Sequence, residues 1–225
     1  MLYGYSTFLP TIILAIRPGA SNAVVQLLTV PCYGVGAISY MAAARYSDWK
    51  QLRGPVVCAF CIASVIGYAL LISDMSSGVH YFGCFLVALG LYVSVGIPLA
   101  WLPSNNPRYG KRTTATGLQL TIGNSSGIMA SFVRFFPLIP LKFGRLLIAL
   151  PQLYPDSEGP RFVRGHAVTM ALVALGCVIY AYMHLHFGRE NTKRERGLRD
   201  EKMRGLEEDE ILALGDENPR YRFTI

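Results

Sequence analysis

Acidic side chains are nearly missing from the first 187 residues, where Asp48, Asp74, Asp156 and Glu158 are the four present. Charge of either sign is scarce across the 225-residue chain, at 16 %, against about 25 % in a typical soluble domain. Such a chain is a poor fit for a single solvated domain. It also lacks the groupings that catalysis needs: no Ser/His/Asp set, paired carboxylates or phosphate-binding loop can be drawn, which argues against an enzyme. Solvated basic faces with interleaved aromatics are missing too. The pI near 9.3 therefore does not point to nucleic acid, because the basic residues sit in short clusters between apolar runs.

Cysteine is sparse, and all five, Cys32, Cys58, Cys61, Cys84 and Cys177, fall inside apolar segments. Cys58 and Cys61 have CxxC spacing, but Val, Ala, Phe and Ile surround them. A zinc or redox site would need polar or cationic neighbours and further ligands. These thiols read as helix-packing residues, with neither a metal site nor a cofactor implied. His166, His184 and His186 read as interfacial histidines rather than metal ligands.

What is abundant is apolar sequence, 52 % of the chain, with a mean hydropathy of +0.35. Crossing a bilayer takes about 20 mostly apolar residues, and six stretches qualify: 1–16, 23–44, 55–73, 79–102, 114–133 and 165–187. None contains Asp or Glu. The fold class expected is an all-α membrane protein, with 1–187 as the membrane body and 188–225 as a charged cytoplasmic tail. The first stretch is short and starts abruptly, like a helix whose beginning is missing; without a basic segment ahead of it, it does not read as a signal peptide.

Orientation follows from the basic residues, since loops rich in Lys and Arg stay on the cytoplasmic side. The connection 45–54 carries Arg45, Lys50 and Arg53; the connection 103–113 carries Arg108, Lys111 and Arg112; the tail carries nine more, so 15 of the 21 basic residues share one side. Both ends are then cytoplasmic. Residues 134–164 break the pattern, because Pro137, Pro140, Pro151, Lys142 and Arg145 interrupt an apolar run. Charge at the centre of a span is costly, so this segment is expected to be interfacial or re-entrant. The tail alternates charge at helical spacing over 191–214 and is expected to form a surface helix, with docking as the other reading.

Polar residues inside spans face a partner or a water-filled path. Gln26, Thr29 and Tyr33 share one helix face. With Tyr5, Tyr92, Gln119 and Asn124 they are the candidates for a solute cavity. Taken singly, each is as readily an interhelical hydrogen-bonding group; the convergence of amides and phenols across several spans points toward a cavity. Pro10, Pro31 and Pro98 and numerous glycines add breaks of the kind transporters use. The GxxxG run Gly123–Gly127 signals close packing, and Trp101 and Tyr109 fit an interfacial belt.

The loop ARYSDWKQLRG (44–54) resembles the signature loop of the major facilitator superfamily in its second-half version. Trp49 departs from the pattern, standing where a basic residue is usual. Arg45, Asp48, Lys50 and Arg53 are its candidate cytoplasmic gate residues, with Asp48 expected to cap a helix end. YGYSTFLPTII (3–13), QLLTVPCY (26–33), GYALL (67–71), WLPSNNPRYGKRTTATGLQLTIGNSSGI (101–128), RGHAVTM (164–170) and LGDENPRYRFTI (214–225) resemble the C-terminal half of the fungal anion:cation symporters, the allantoate permease and nicotinic acid transporter branch.

That resemblance implies a six-helix half of a plasma-membrane carrier, moving a small organic anion with a proton. Its partners would be the lipid bilayer and a missing N-terminal six-helix half, and not nucleic acid. The alternative is a truncated, non-transporting or regulatory membrane protein. With no acid and no cation in mid-span, coupling and anion binding would rest on the other half, a histidine, amides, phenols or helix ends. Only Val133–Gln152 falls outside the resemblance. Removing it joins ASF to LYPDSEGPRFVRGHA and deletes three basic residues from the wrong side. A retained intron is the expectation, since Val codons begin GT and a Gln codon can end AG.

Overall fold

The computed structural model describes residues 2–132 and 161–225, with side chains throughout except at 126–132. Every regular element among the described residues is helical. The long helices are α1 (Leu2–Ile16), α2 (Asn22–Lys50), α3 (Gly54–Ile72), α4 (Ser77–Ser104), α5 (Tyr109–Phe132) and α6 (Val163–Glu195). Short 3-10 turns at Asp200–Met203 and Gly215–Glu217 flank a small helix, α7 (Glu208–Ala213). Four helices, α2, α3, α4 and α6, are long and apolar enough to cross a membrane. At 15 residues, α1 reaches only about 22 Å. Through the middle of α5 run Gln119, Thr121, Asn124 and Ser125, the polar residues that set it apart from those four.

Local chemistry explains where the helices start and stop. Ser21 caps α2 by accepting from the Val24 amide, satisfying one of the unpaired N–H groups of the first turn. At the far end, Gln51 takes a left-handed conformation (φ 54°) and returns its N–H to the Ser47 carbonyl. Pro55, in the first turn of α3, costs no hydrogen bond. Helix α2 thus runs through Arg45, Asp48 and Lys50 instead of ending at 44, and the connection to α3 is only 51–53. Likewise α6 continues to Glu195, beyond the expected limit of 187. The surface helix expected over 191–214 is instead the last turns of α6, a 3-10 turn and α7. Gly197 and Gly205 divide it and Gly215 follows its end, all three at positive φ, where glycine is the favoured residue. The expected insertion Val133–Gln152 lies outside the described residues.

Packing centres on α3 and α4. Ser64 of α3 donates to the Val87 carbonyl at 3.2 Å in the buried seam. At Gly90 a side chain would collide with the Phe60 carbonyl and the Ser64 hydroxyl, so glycine there permits near-backbone contact. Helices α2 and α4 clasp reciprocally: the Tyr92 ring of α4 covers Gly36 of α2, and the Tyr40 ring of α2 covers Gly96 of α4. On the other face of α3, Cys58 and Cys177 of α6 direct each thiol at the other's carbonyl, at 3.6 and 3.8 Å. This is the packing role expected of those cysteines. Helix α1 lies against α2, α4 and α5 through buried Tyr5, Leu9, Ile12 and Ile13.

Candidate functional site

Two prolines shape the site. A proline inside a helix has no N–H for the carbonyl four residues earlier, so Pro10 frees the Ser6 carbonyl and Pro98 frees that of Ser94. In an apolar surround an unpaired carbonyl is costly, and a neighbouring helix has to supply a donor. The Tyr33 hydroxyl of α2 donates to the Ser6 carbonyl at 3.0 Å. The Tyr180 hydroxyl of α6 donates to the Ser94 carbonyl at 3.3 Å. Each proline break is thus answered by a tyrosine from another helix.

Around the second break lies a cavity of about 320 Å³, bordered by α1, α4, α5 and α6. Gln119 of α5 donates through Nε2 to the Pro98 carbonyl at 3.3 Å. Its Oε1 is buried without a hydrogen-bond partner. Across the cavity, the Tyr3 hydroxyl donates to Asn124 Oδ1 at 2.8 Å. Ser94, Pro98, Leu2 and Tyr180 complete the wall.

Of the seven cavity candidates, the structure brings only Gln119 and Asn124 to this cavity. Tyr33 and Tyr92 are half-buried between α1, α2 and α4, with Tyr92 beside the Ser6 side chain. Tyr5 is buried and donates to the Cys84 carbonyl at 2.8 Å. Thr29 is buried and bonds back to the Gln26 carbonyl of its own helix, while the Gln26 side chain is exposed. Tyr3, Ser94 and Tyr180 are polar wall residues outside the seven, and Tyr180 comes from a helix that held no candidate. The signal was Pro98, whose freed carbonyl requires a donor from elsewhere.

At the opposite pole from the Asp74–Arg161 pair, the four gate candidates lie at the junction of α2 and α3. Arg53 pairs with Asp48 at 3.1 Å. Asp48 sits in the last turn of α2, where a carboxylate opposes the helix dipole. It does not cap its own helix; the partner charge of Arg53 offsets it. Lys50 lies over the Trp49 ring at 4.2 Å, and neither Arg45 nor Lys50 has an ion-pair partner among the described residues.

The tail is not simply solvated. Residues 221–225 run across the ends of α3, α4 and α6. The Arg53 amide donates to the Ile225 carbonyl at 2.6 Å. Trp101 Nε1 donates to the Thr224 carbonyl at 2.7 Å, and Asn105 brackets Thr224 with two further bonds. Asn191 brackets Phe223 in the same way. Arg194 is buried, donates to the carbonyls of Asp216, Asn218 and Tyr221 and stacks on Phe223. Burial, aided by the Asp216 carboxylate, raises the Tyr221 hydroxyl above its ordinary range, so it stays protonated and donates to the Ser104 carbonyl.

The chain is 30 % identical over 225 residues, all of its length, to an uncharacterised transporter of Schizosaccharomyces pombe. It is 28 % identical over 223 residues to a high-affinity nicotinic acid transporter of Saccharomyces cerevisiae. A third relative, the major facilitator-type transporter hxnP of Emericella nidulans, is 26 % identical over 216 residues. Its relatives are fungal transporters. They are not enzymes, in agreement with the missing catalytic set. The chain spans 40 %, 37 % and 40 % of the lengths of these three relatives. No family model and no solved structure matches it. The chain is a multi-pass helical membrane protein similar to fungal transporters.

Proposed function

We propose that the chain is the C-terminal six-helix half of a major facilitator carrier of the plasma membrane, moving a small organic anion such as nicotinate or allantoate together with a proton. Helices α1 to α6 are its six crossings, with both ends in the cytoplasm. The observation that carries this reading is a polar cavity set among apolar helices, at a proline break, in a chain whose whole length aligns with transporters. Solute sites between discontinuous helices are a recurrent transporter solution. The Asp48–Arg53 pair and the tail strap then form the cytoplasmic end that holds α3, α4 and α6 together while the cavity side moves.

Uptake of labelled nicotinate and of a labelled ureido acid by cells expressing the chain tests this. Accumulation above vector-only cells, abolished by a protonophore, is expected. Surface expression without uptake of either solute contradicts transport by this chain and favours the non-transporting alternative.

A further inference from the structure

We propose that the ends of α3, α4 and α6 form a peptide-binding groove that reads the main chain of an extended segment, and that residues 221–225 are its internal occupant, a latch on the α2–α3 turn. Among the described residues, each hydrogen bond between the groove and residues 223–225 ends on a main-chain atom of the segment. The Asn191 side chain takes both the N–H and the C=O of Phe223, each at 2.8 Å. One residue on, the Asn105 side chain takes both groups of Thr224, at 2.8 and 3.1 Å. Successive residues of an extended chain turn their peptide groups to opposite edges, so an amide from α6 serves one edge and an amide at the end of α4 the other. Trp101 Nε1 adds a donor to the Thr224 carbonyl at 2.7 Å, and the Arg53 amide closes the row on the Ile225 carbonyl at 2.6 Å. An asparagine that pairs both main-chain groups of one residue supplies the donor and acceptor that a neighbouring strand would.

One side chain of this stretch is gripped as well. The Phe223 ring stacks on Phe187 of α6 with centroids 4.8 Å apart, and the Arg194 guanidinium lies 4.4 Å from its centre. The Thr224 hydroxyl makes no hydrogen bond among the described residues, and Arg222 is exposed. The groove therefore takes an extended segment with an aromatic anchor and tolerates change at the position that follows. The latch comes from Arg53. Its amide, at the N-cap of α3, has no carbonyl of its own helix to bond and donates to Ile225, while its side chain pairs with Asp48 in the last turn of α2. From the other side, Ser47 of α2 accepts from the Leu52 amide at 3.2 Å and donates to the Leu52 carbonyl at 3.1 Å. The α2–α3 turn is thus fixed between α2 and the segment. A contact of a few hydrogen bonds and one ring opens more readily than the helices it crosses, and opening takes the Arg53 tie away.

The test uses the 225-residue chain in lipid nanodiscs and a fluorescein-labelled peptide of residues 219–225, amidated at its end so that no terminal charge takes part. Phe223→Ala in the chain weakens the internal occupant and is expected to raise affinity for the peptide about tenfold over the unsubstituted chain. On that variant, methylating the peptide's Thr224 nitrogen, which removes the donor to Asn105, is expected to cost about tenfold, and Phe223→Ala in the peptide as much. Thr224→Ala in the peptide is expected to cost less than about twofold. Hydrogen exchange at the Arg53 amide is expected to quicken about tenfold in the Phe223→Ala chain and to slow again when the peptide is added. Thr224→Pro in the chain, which deletes the same donor, provides a second weakened occupant should Phe223→Ala fail to fold. No peptide binding to either variant, or a loss on Thr224→Ala equal to that on methylation, overturns the groove. Exchange at Arg53 that ignores both the substitution and the peptide overturns the latch. Neither readout involves uptake, so failure of the carrier reading leaves this assignment standing, and the reverse holds equally.

Discussion

At Tyr180 and Tyr33 the worth of a side chain depends on a proline in a different helix. The Tyr180 hydroxyl is valuable because Pro98 leaves the Ser94 carbonyl without an amide. Tyr180→Phe is accordingly expected to cost about 1 kcal/mol, read as a lowered unfolding midpoint in micelles. On a Pro98→Ala background, where an amide can again reach Ser94, the same substitution is expected to cost less than half as much. Equal costs on both backgrounds would refute the coupling. Pro98 and the polar candidates Gln119 and Asn124 were legible in the sequence, since residue type alone marks them as expensive in an apolar helix. Which tyrosine would answer which break was not legible, because it depends on how α6 is rotated against α4. For the same reason Tyr5 and Thr29 looked like cavity residues, yet they face the core and their own helix.

Among the elements, the helix pairs are set by small residues opposite rings or backbone. Gly90→Val is expected to abolish recovery of a monodisperse chain on size-exclusion chromatography, because the new side chain meets the Phe60 carbonyl and backbone cannot step aside as a rotamer can. Gly34→Val, where nothing lies within 4 Å, is expected to leave the elution profile unchanged. Similar profiles for the two variants would contradict the α3–α4 seam. Apolar period and length foretold most helix ends to within two residues, but not where α5 begins or where α2 and α6 stop. RYSDWK reads as a loop by charge, but it contains neither Gly nor Pro. Charged residues extend a helix readily once it projects beyond the lipid, and α2 stops only where Gln51 turns left-handed.

For the molecule as a whole, the tail changes from an appendage into a strap. Its balanced charge, nine basic and ten acidic residues over 188–225, suggested a solvated surface helix, with docking as the other reading. Arg194→Ala removes donors to three carbonyls and the stacking on Phe223. It is expected to raise the rate of limited proteolysis within 216–225 about tenfold while the membrane body remains intact; unchanged proteolysis would mean that the strap does not depend on Arg194. The proposed carrier requires α2 and α3 to cross a bilayer in opposite directions, with the Asp48–Arg53 end in the cytoplasm. Single cysteines placed at exposed Gln51 and Met75 and probed with a membrane-impermeant maleimide test this directly. Met75→Cys is expected to label in intact cells and Gln51→Cys only after permeabilisation; labelling of both in intact cells would contradict it.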